Sequence, residues 1–181
     1  QENMAILEKR GYGFIRPASG RLACGDEGVG KLAAVEDIIA AAMAALYPRQ
    51  DLKGKRILVS AGPTQERIDP VRYITNRSSG KMGYAIARAA AERGAEVTLV
   101  SGPVTLTPPQ GVELVNIVSS ADMFEAVTSR FDACDALIMA AAPADFTPAK
   151  AVEQKIKKQG GGMELSLVNT QDILAAVGAR K

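Results

Sequence analysis

The sequence predicts an α/β fold, namely a doubly wound, mostly parallel, Rossmann-like sheet that is truncated at its C-terminal end. From residue 55 onward, apolar runs of strand length alternate with segments of helical periodicity. The first run, over residues 55–61, is of the kind that a buried parallel strand shows, and the connections are long enough for right-handed helical crossovers. Ligands of such sheets bind at the carboxyl ends of the strands, which places the candidate site in the loops over residues 61–81, 102–111 and 141–162.

The composition excludes several functional classes. A chain of 181 residues with 47% hydrophobic residues can bury one sizeable core but not two full domains. The net charge of +2 indicates neither nucleic acid nor a membrane as a partner, and no apolar run is long enough to span a bilayer. The absence of His excludes Ser–His–Asp, Cys–His and His–metal chemistry within this chain. Two separate cysteines, Cys24 and Cys134, indicate a reducing, cytoplasmic setting.

The first 46 residues are predicted to be the tail of another domain, because they lack a strong set of strands. Their expected elements are a helix over residues 4–9, a short strand over 12–15, a glycine-rich loop over 17–31 and a helix over 35–46. A polar linker over residues 47–54 leads to an incomplete domain over residues 55–181. Since the sequence has no initiator Met and stops at the start of a helix, we expect it to belong to a longer gene product.

The second part alternates strands and helices. Strands are predicted over residues 55–61, 96–101, 112–118, 136–141 and 164–168, and helices over 78–93, 119–131 and 172–177. The helix over residues 78–93 is the clearest, because Met82, Ile86 and Ala90 share one face and Gly94 ends it. The predicted N-caps are the serine pairs at the starts of the two long helices, Ser78-Ser79 and Ser119-Ser120.

A first candidate site is the block Ser78-Ser79-Gly80-Lys81-Met82-Gly83 at a helix N-terminus. Free N–H groups, two hydroxyls and a lysine favour an anion such as phosphate, and the glycines allow close approach. The block fits neither a Walker A loop nor G-x-G-x-x-G. A serine cap with glycines that serve helix–sheet packing explains the local pattern equally well.

A second candidate is the connection over residues 62–77, which is long for a loop between a strand and its helix. Asp69, Arg72 and Asn76 supply polar groups that are able to face a site. By local pattern alone, a surface excursion or a dimer arm is the better explanation.

A third candidate combines the small residues of Ala140 to Ala144 with Asp145, Phe146 and the basic run Lys155-Ile156-Lys157-Lys158. Small residues at a strand end admit a flat base or a phosphate, a carboxylate can hold a metal, and lysines can neutralise a triphosphate. The bland alternative for the run is an exposed basic loop. Cys24, in a glycine-rich loop, is either an exposed thiol or a small buried residue.

Together these motifs resemble the phosphopantothenoylcysteine synthetase (phosphopantothenate–cysteine ligase) family. The blocks that carry the resemblance occur in one order: Gly62-Pro63-Thr64, Ile68 to Asn76, Ser78 to Gly83, Ala140 to Phe146 and Lys155 to Lys158. The preceding segment, Pro17 to Gly20 followed by Ala23-Cys24-Gly25-Asp26, resembles the flap near the C-terminus of the phosphopantothenoylcysteine decarboxylase family. The two families are fused in this order in bacterial bifunctional proteins of coenzyme A biosynthesis.

The resemblance implies an enzyme that ligates 4'-phosphopantothenate to cysteine with CTP, through an acyl-cytidylate and with Mg²⁺. It also implies FMN in the decarboxylase half, a homodimer through the ligase domain and a higher oligomer in the intact fusion. Asn76 and Arg72 are the expected catalytic residues of the ligase, Cys24 is the expected proton donor of the decarboxylase, and Asp145 is the expected metal ligand. The expected nucleotide-binding residues are Gly62, Ser78, Ser79, Gly80, Lys81, Met82, Gly83, Ala141, Ala142, Asp145, Phe146, Lys155, Lys157, Asp172 and Ile173.

Two departures from the family pattern are Pro143, where Val is common, and the end at Lys181, before a further segment of the family's domain. The alternatives from other classes are a Rossmann-type oxidoreductase and a sugar-nucleotide binding module. Against the oxidoreductase, the first strand lacks G-x-G-x-x-G, and Ser101-Gly102 stands where an acidic residue is expected after the second strand.

Overall fold

The computed structural model describes residues 2–21, 27–46, 50–158, 160 and 162–180. The chain divides into two compact units, over residues 1–49 and 50–181. Within the described ranges, no helix combines the length and the apolar character needed to cross a bilayer.

The described residues of the first unit form two helices and two strands: α1 (Glu2–Lys9), β1 (Ala18–Arg21), β2 (Glu27–Lys31) and α2 (Val35–Leu46). The two strands pair antiparallel, so they lie in the segment for which a loop was predicted, while no strand forms over residues 12–15. Pairing across the hairpin, and not β-propensity, creates these strands, since both are rich in glycine. None of the described residues of this unit is buried.

Within residues 50–158, 160 and 162–180, the second unit forms eight strands and three helices. They are β3 (Arg56–Ala61), β4 (Gln65–Arg67), β5 (Tyr73–Thr75), α3 (Lys81–Glu92), β6 (Glu96–Ser101), β7 (Val112–Asn116), α4 (Ser120–Phe131), β8 (Ala136–Met139), β9 (Phe146–Pro148), β10 (Leu167–Asn169) and α5 (Ile173–Gly178). The central sheet has the order β7-β6-β3-β8, and all its strands are parallel. The predicted α/β class with a mostly parallel sheet is thereby confirmed.

Alternation along β3 places one apolar core on each face of the sheet. Val59 faces a cluster that contains Tyr84 and Ala87 of α3. Leu58 faces the opposite cluster, which contains Met123 of α4 and Ile173 of α5. The strand is therefore buried on both faces, as its apolar run predicts, and helices cover the sheet from both sides.

Three boundaries and pairings of the second unit differ from the sequence-based expectations. Helix α3 begins at Lys81 because its N-cap is Gly80, whose φ of 73° is left-handed, and no side chain caps it. The strand predicted over residues 164–168 lies at β10 and pairs antiparallel with β9, outside the central sheet. The long connection before α3 contains the antiparallel hairpin β4–β5. Helix α4, in contrast, has the expected serine cap at Ser119, which forms a full capping box with Asp122.

Candidate functional site

The N-terminus of α3 meets the carboxyl end of β3 through two glycines. Gly62 and Gly80 both have positive φ, of 77° and 73°. A Cβ atom at either position would lie 3.0 Å from the Cγ1 atom of Val104. Because no side chain caps α3, its first-turn N–H groups remain a potential anion site. The exposed residues beside this end are Ser79, Lys81 and Met82, and Ser78 is half-buried.

Gly83 serves helix–sheet packing. It is buried, and a Cβ atom there would lie 2.5 Å from the Cβ atom of Ala61 and 2.8 Å from the carbonyl oxygen of Ser60. Only a glycine lets the first turn of α3 lie this close to β3. The packing explanation therefore accounts for Gly83, whether or not the helix end binds an anion.

Asp69 organises the turn of the β4–β5 hairpin. Its Oδ1 atom accepts hydrogen bonds from the backbone N–H groups of Val71 at 2.8 Å and Arg72 at 2.9 Å. Its Oδ2 atom accepts one from the N–H group of Ile156 at 3.1 Å, and the Arg72 guanidinium donates to the carbonyl oxygen of Ile156 at 2.6 Å. The hairpin therefore holds the basic run through the backbone N–H group and the carbonyl oxygen of Ile156.

The Asp69 carboxylate is fully buried yet remains favoured in its charged form. Desolvation by burial raises the pKa of this carboxyl, but the backbone donors of Val71, Ile156 and Arg72, together with the Arg72 charge, outweigh it. The pKa of Asp69 consequently lies below its ordinary value.

A basic cavity of about 830 Å³ adjoins the contact of Asp69 and Arg72 with Ile156. It is lined by Arg72, Gln154, Lys155, Ile156, Lys157, Lys158, Gly162 and Met163. Four of these side chains are cationic, and none of the described residues that line the cavity is acidic. Arg72, predicted as catalytic, therefore lies together with the predicted binding residues Lys155 and Lys157, and their charge favours an anion.

The loop after β8 is fixed to its neighbours by polar side chains. The Thr64 hydroxyl accepts from the N–H group of Ala144 at 2.9 Å, and the Thr170 hydroxyl donates to the carbonyl oxygen of Ala144 at 2.7 Å. The Asn76 side-chain amide donates to the carbonyl oxygen of Pro143 at 2.9 Å. Asn76 therefore lies at the edge of this loop, and its expected catalytic role stays a prediction.

A second cavity, of about 450 Å³, follows the end of β8. It brings together five of the predicted nucleotide-binding residues, namely Ala141, Asp145, Phe146, Asp172 and Ile173. Asp172 caps α5 by accepting from the N–H group of Ala175 at 2.9 Å, a task that is structural. Both aspartates give this cavity a negative character, in contrast to the basic cavity.

The predicted metal ligand Asp145 is exposed. Among the residues that the structure describes, no three His, Cys, Asp or Glu residues lie close enough to hold a metal ion. Magnesium in proteins is commonly bound through one or two carboxylates plus the phosphates of a substrate, so a lone Asp145 fits only that arrangement. The predicted proton donor Cys24 lies outside the described residues.

Sequence reasoning missed the residues that join these segments. Thr64, Thr75 and Thr170 were not singled out, although the Thr75 hydroxyl donates to the carbonyl oxygen of Thr64 at 2.7 Å and completes the link between hairpin and loop. Asp69 was noted only as a polar candidate. Its sequence signal was available, since an Asp that accepts from the second and third following N–H groups is a common turn former.

Comparison with known proteins places the chain among proteins of pantothenate metabolism. Residues 52–181 match the family described as DNA/pantothenate metabolism flavoprotein C-terminal domain. The coenzyme A biosynthesis bifunctional protein CoaBC of Bacillus subtilis (strain 168) is 49% identical over 184 residues, which cover 100% of this chain and 45% of that protein.

Two solved structures have the same fold. The crystal structure of the C-terminal domain of a coenzyme A biosynthesis bifunctional protein CoaBC has 48% identity and a TM-score of 0.64, and the match covers 73% of this chain and 62% of that one. The DNA/pantothenate metabolism flavoprotein of Streptococcus pneumoniae has 27% identity and a TM-score of 0.59, with coverages of 70% and 65%. The chain spans about half the length of the curated relatives that it matches.

These findings correct the identification made from sequence motifs. The matching family is described as a flavoprotein C-terminal domain, and neither that description nor the name of the B. subtilis relative specifies a phosphopantothenate–cysteine ligase. The assignment of this chain to the ligase family, to CTP-dependent ligation of 4'-phosphopantothenate with cysteine, and to that enzyme class is therefore replaced by the family shown. The link to a bifunctional protein of coenzyme A biosynthesis is a property of the relatives.

Proposed function

Because the chain belongs to the family of DNA/pantothenate metabolism flavoprotein C-terminal domains, we propose that it is the phosphate-binding part of a bifunctional protein of coenzyme A biosynthesis. The ligand class is a small molecule that carries a phosphate chain, and CTP with Mg²⁺ is its proposed representative. The proposal concerns binding, and it assigns no reaction to this chain.

The observation that carries the proposal is the basic cavity. Its volume lies in the range of small-molecule sites, about 300–1,000 Å³. Arg72, Lys155, Lys157 and Lys158 supply four positive charges, which matches the charge of a triphosphate better than that of a single carboxylate. A chain with a net charge of only +2 thus concentrates positive charge at one place.

The nucleoside end of such a ligand is proposed to lie toward the small residues after β8. Ala141 and Ala142 are only half-buried, so a flat base is able to approach them. The acidic character of the cavity near Asp145 and Asp172 makes it a poor site for phosphate. A magnesium ion bound to the phosphate chain would let Asp145 contribute as one oxygen ligand among several.

The phosphate of FMN, the cofactor expected in the decarboxylase half, does not fit the cavity after β8. Asp145 and Asp172 line it, and the phosphate of FMN is itself anionic. We therefore propose that FMN binds in another part of the full-length protein. The decarboxylase role of Cys24 and the homodimer stay predictions.

Calorimetric titration of the whole chain tests the proposed function. We expect binding of CTP in the presence of Mg²⁺, weakening steeply as salt rises because several cations contact the phosphates. ATP and NADPH serve as comparison ligands. Binding of NADPH without CTP would contradict the proposal and favour a Rossmann-type nucleotide site, and so would CTP binding that salt leaves unchanged.

A further inference from the structure

Two distant segments meet at Ile156. Asp69 is 87 residues away in sequence, yet its Oδ2 atom accepts from the Ile156 N–H group at 3.1 Å. The Arg72 guanidinium donates to the Ile156 carbonyl oxygen at 2.6 Å, and its Nη2 atom lies 3.4 Å from Asp69 Oδ2. Lys155 and Lys157 flank the residue that is held in this way.

The Asp69 carboxylate is also held within its own turn, independently of the basic run. Its Oδ1 atom is occupied by the N–H groups of Val71 and Arg72 within the same turn, and its side chain has 0% exposure. A free carboxylate beside four cations would compete with an anionic ligand for them. Here the backbone donors and Arg72 already satisfy the Asp69 carboxylate. The positive charges of the lysines therefore remain available to an anionic ligand.

We propose that Asp69 is a positioning residue, which holds Ile156 in place so that Lys155 and Lys157 stand at the basic cavity ready for a phosphate chain. This inference rests on the proposed phosphate-binding function. Lysine side chains are long and flexible, so a fixed backbone lowers the ordering cost of binding. The contact acts through Ile156, since Asp69 itself does not line the cavity.

The test measures two quantities on the full chain: deuterium uptake across residues 150–158 and calorimetric affinity for Mg–CTP. Asp69→Asn replaces an acceptor by an amide that cannot satisfy all three N–H donors. Ile156→Pro removes the donor from the other side and leaves the Asp69 turn intact. We expect both variants to raise uptake in this segment and to weaken Mg–CTP binding by about tenfold.

Two matched controls separate positioning from general stability. Ile156→Ala trims the same side chain but keeps its N–H group. Asp122→Asn alters another aspartate that accepts backbone N–H bonds, at the start of α4. Both controls are expected to keep uptake over residues 150–158 close to that of the wild type. Asp122→Asn is also expected to keep wild-type affinity, whereas Ile156→Ala is judged by uptake alone because Ile156 lines the basic cavity. If Asp69→Asn does not fold, as judged by circular dichroism, the Ile156→Pro and Ile156→Ala pair decides.

The outcomes distinguish this inference from the function on which it rests. Unchanged uptake in both Asp69→Asn and Ile156→Pro overturns the positioning role. Raised uptake with wild-type affinity overturns it as well. Absence of Mg–CTP binding by the wild-type chain instead overturns the proposed function, and the positioning role falls with it. Raised uptake together with weakened binding in Asp69→Asn and Ile156→Pro, with wild-type uptake in both controls and wild-type affinity in Asp122→Asn, supports the inference.

Discussion

The side-chain amide of Asn76 donates to the carbonyl oxygen of Pro143 at 2.9 Å and makes a longer contact, of 3.4 Å, with that of Ala142. Asn76, which lies shortly before the N-terminus of α3, is thereby hydrogen-bonded to the loop after β8. Both segments border the candidate site, so one neutral amide sets their spacing. A donor is required here, because both partners are acceptors.

Asn76→Asp is expected to weaken Mg–CTP binding by about tenfold, the cost of losing one good hydrogen bond and facing two carbonyl oxygens with a charge. Calorimetry on the full chain measures it. Asn116→Asp, at the exposed end of β7, adds the same charge elsewhere and is expected to have little effect. Equal affinity of Asn76→Asp and the wild type would show that the link is dispensable.

Lys155→Ala is expected to reduce affinity for Mg–CTP by about tenfold or more, since a charge-assisted contact to phosphate is lost. Lys150→Ala removes an exposed lysine of the same segment that does not line the basic cavity, and serves as the control. Lys158→Ala is expected to have a smaller effect than Lys155→Ala. The reverse order in the titrations would reject the assignment.

Gly83→Ala is expected to destabilise the fold by about 1–3 kcal/mol. Alanine gains about 1 kcal/mol of helix propensity, but its Cβ atom would lie 2.5 Å from that of Ala61, and the overlap outweighs the gain. Urea denaturation gives the free energy of unfolding. Ala85→Gly, on the exposed side of α3, is expected to cost only the propensity difference. A stabilised Gly83→Ala protein would contradict the close packing.

The start of α4 is expected to lose stability in acid. The Ser119 backbone N–H bond lowers the pKa of Asp122, and further bonds from Ser119 and Val118 outweigh its desolvation. A carboxyl group whose pKa is lowered on folding stabilises the folded state at pH values above its ordinary pKa of about 3.9. This stabilisation is lost as the pH falls through the lower pKa of the folded state.

Asp122→Ala should therefore be less stable than the wild type by about 1 kcal/mol at pH 7, the usual cost of a lost cap, and the difference should vanish in acid. Urea denaturation between pH 7 and pH 2.5 measures it, with Glu125→Ala on the same helix as control. A difference that persists at the lowest pH would show that packing, and not the carboxylate, is responsible.

The parallel sheet and its helices follow from patterns that lie within short stretches of the sequence. The apolar run at residues 55–61 predicts β3 to within one residue, and the helix predicted over residues 78–93 corresponds to α3, which begins three residues later. The N-cap of α3 was misassigned, because serine is the usual capping residue and a left-handed Gly80 leaves no sequence mark of its own. The glycine-rich hairpin β1–β2 was missed for a related reason, since its strands carry little β-propensity.

The candidate site depends on contacts that no local pattern contains. For the basic run, the local pattern favours an exposed loop, and Lys155, Lys157 and Lys158 are indeed exposed. The contacts of Asp69 and Arg72 with the backbone of Ile156 show that the run is also anchored. The residue types of the turn at Asp69 indicate a turn, but they do not indicate which distant backbone group the second carboxylate oxygen will bind.

The sheet order has a consequence for how the chain folds. Strand β3 meets β6 after a single crossover, whereas its pairing with β8 closes a much longer loop, with Ser60 and Met139 79 residues apart. Loop closure costs entropy, so β8 is expected to join after β3, α3 and β6 have assembled. Leu137→Ala should then accelerate unfolding, and Leu99→Ala should slow folding. Until β8 arrives, the edge of β3 is open to strands of other molecules, so aggregation should compete at this step.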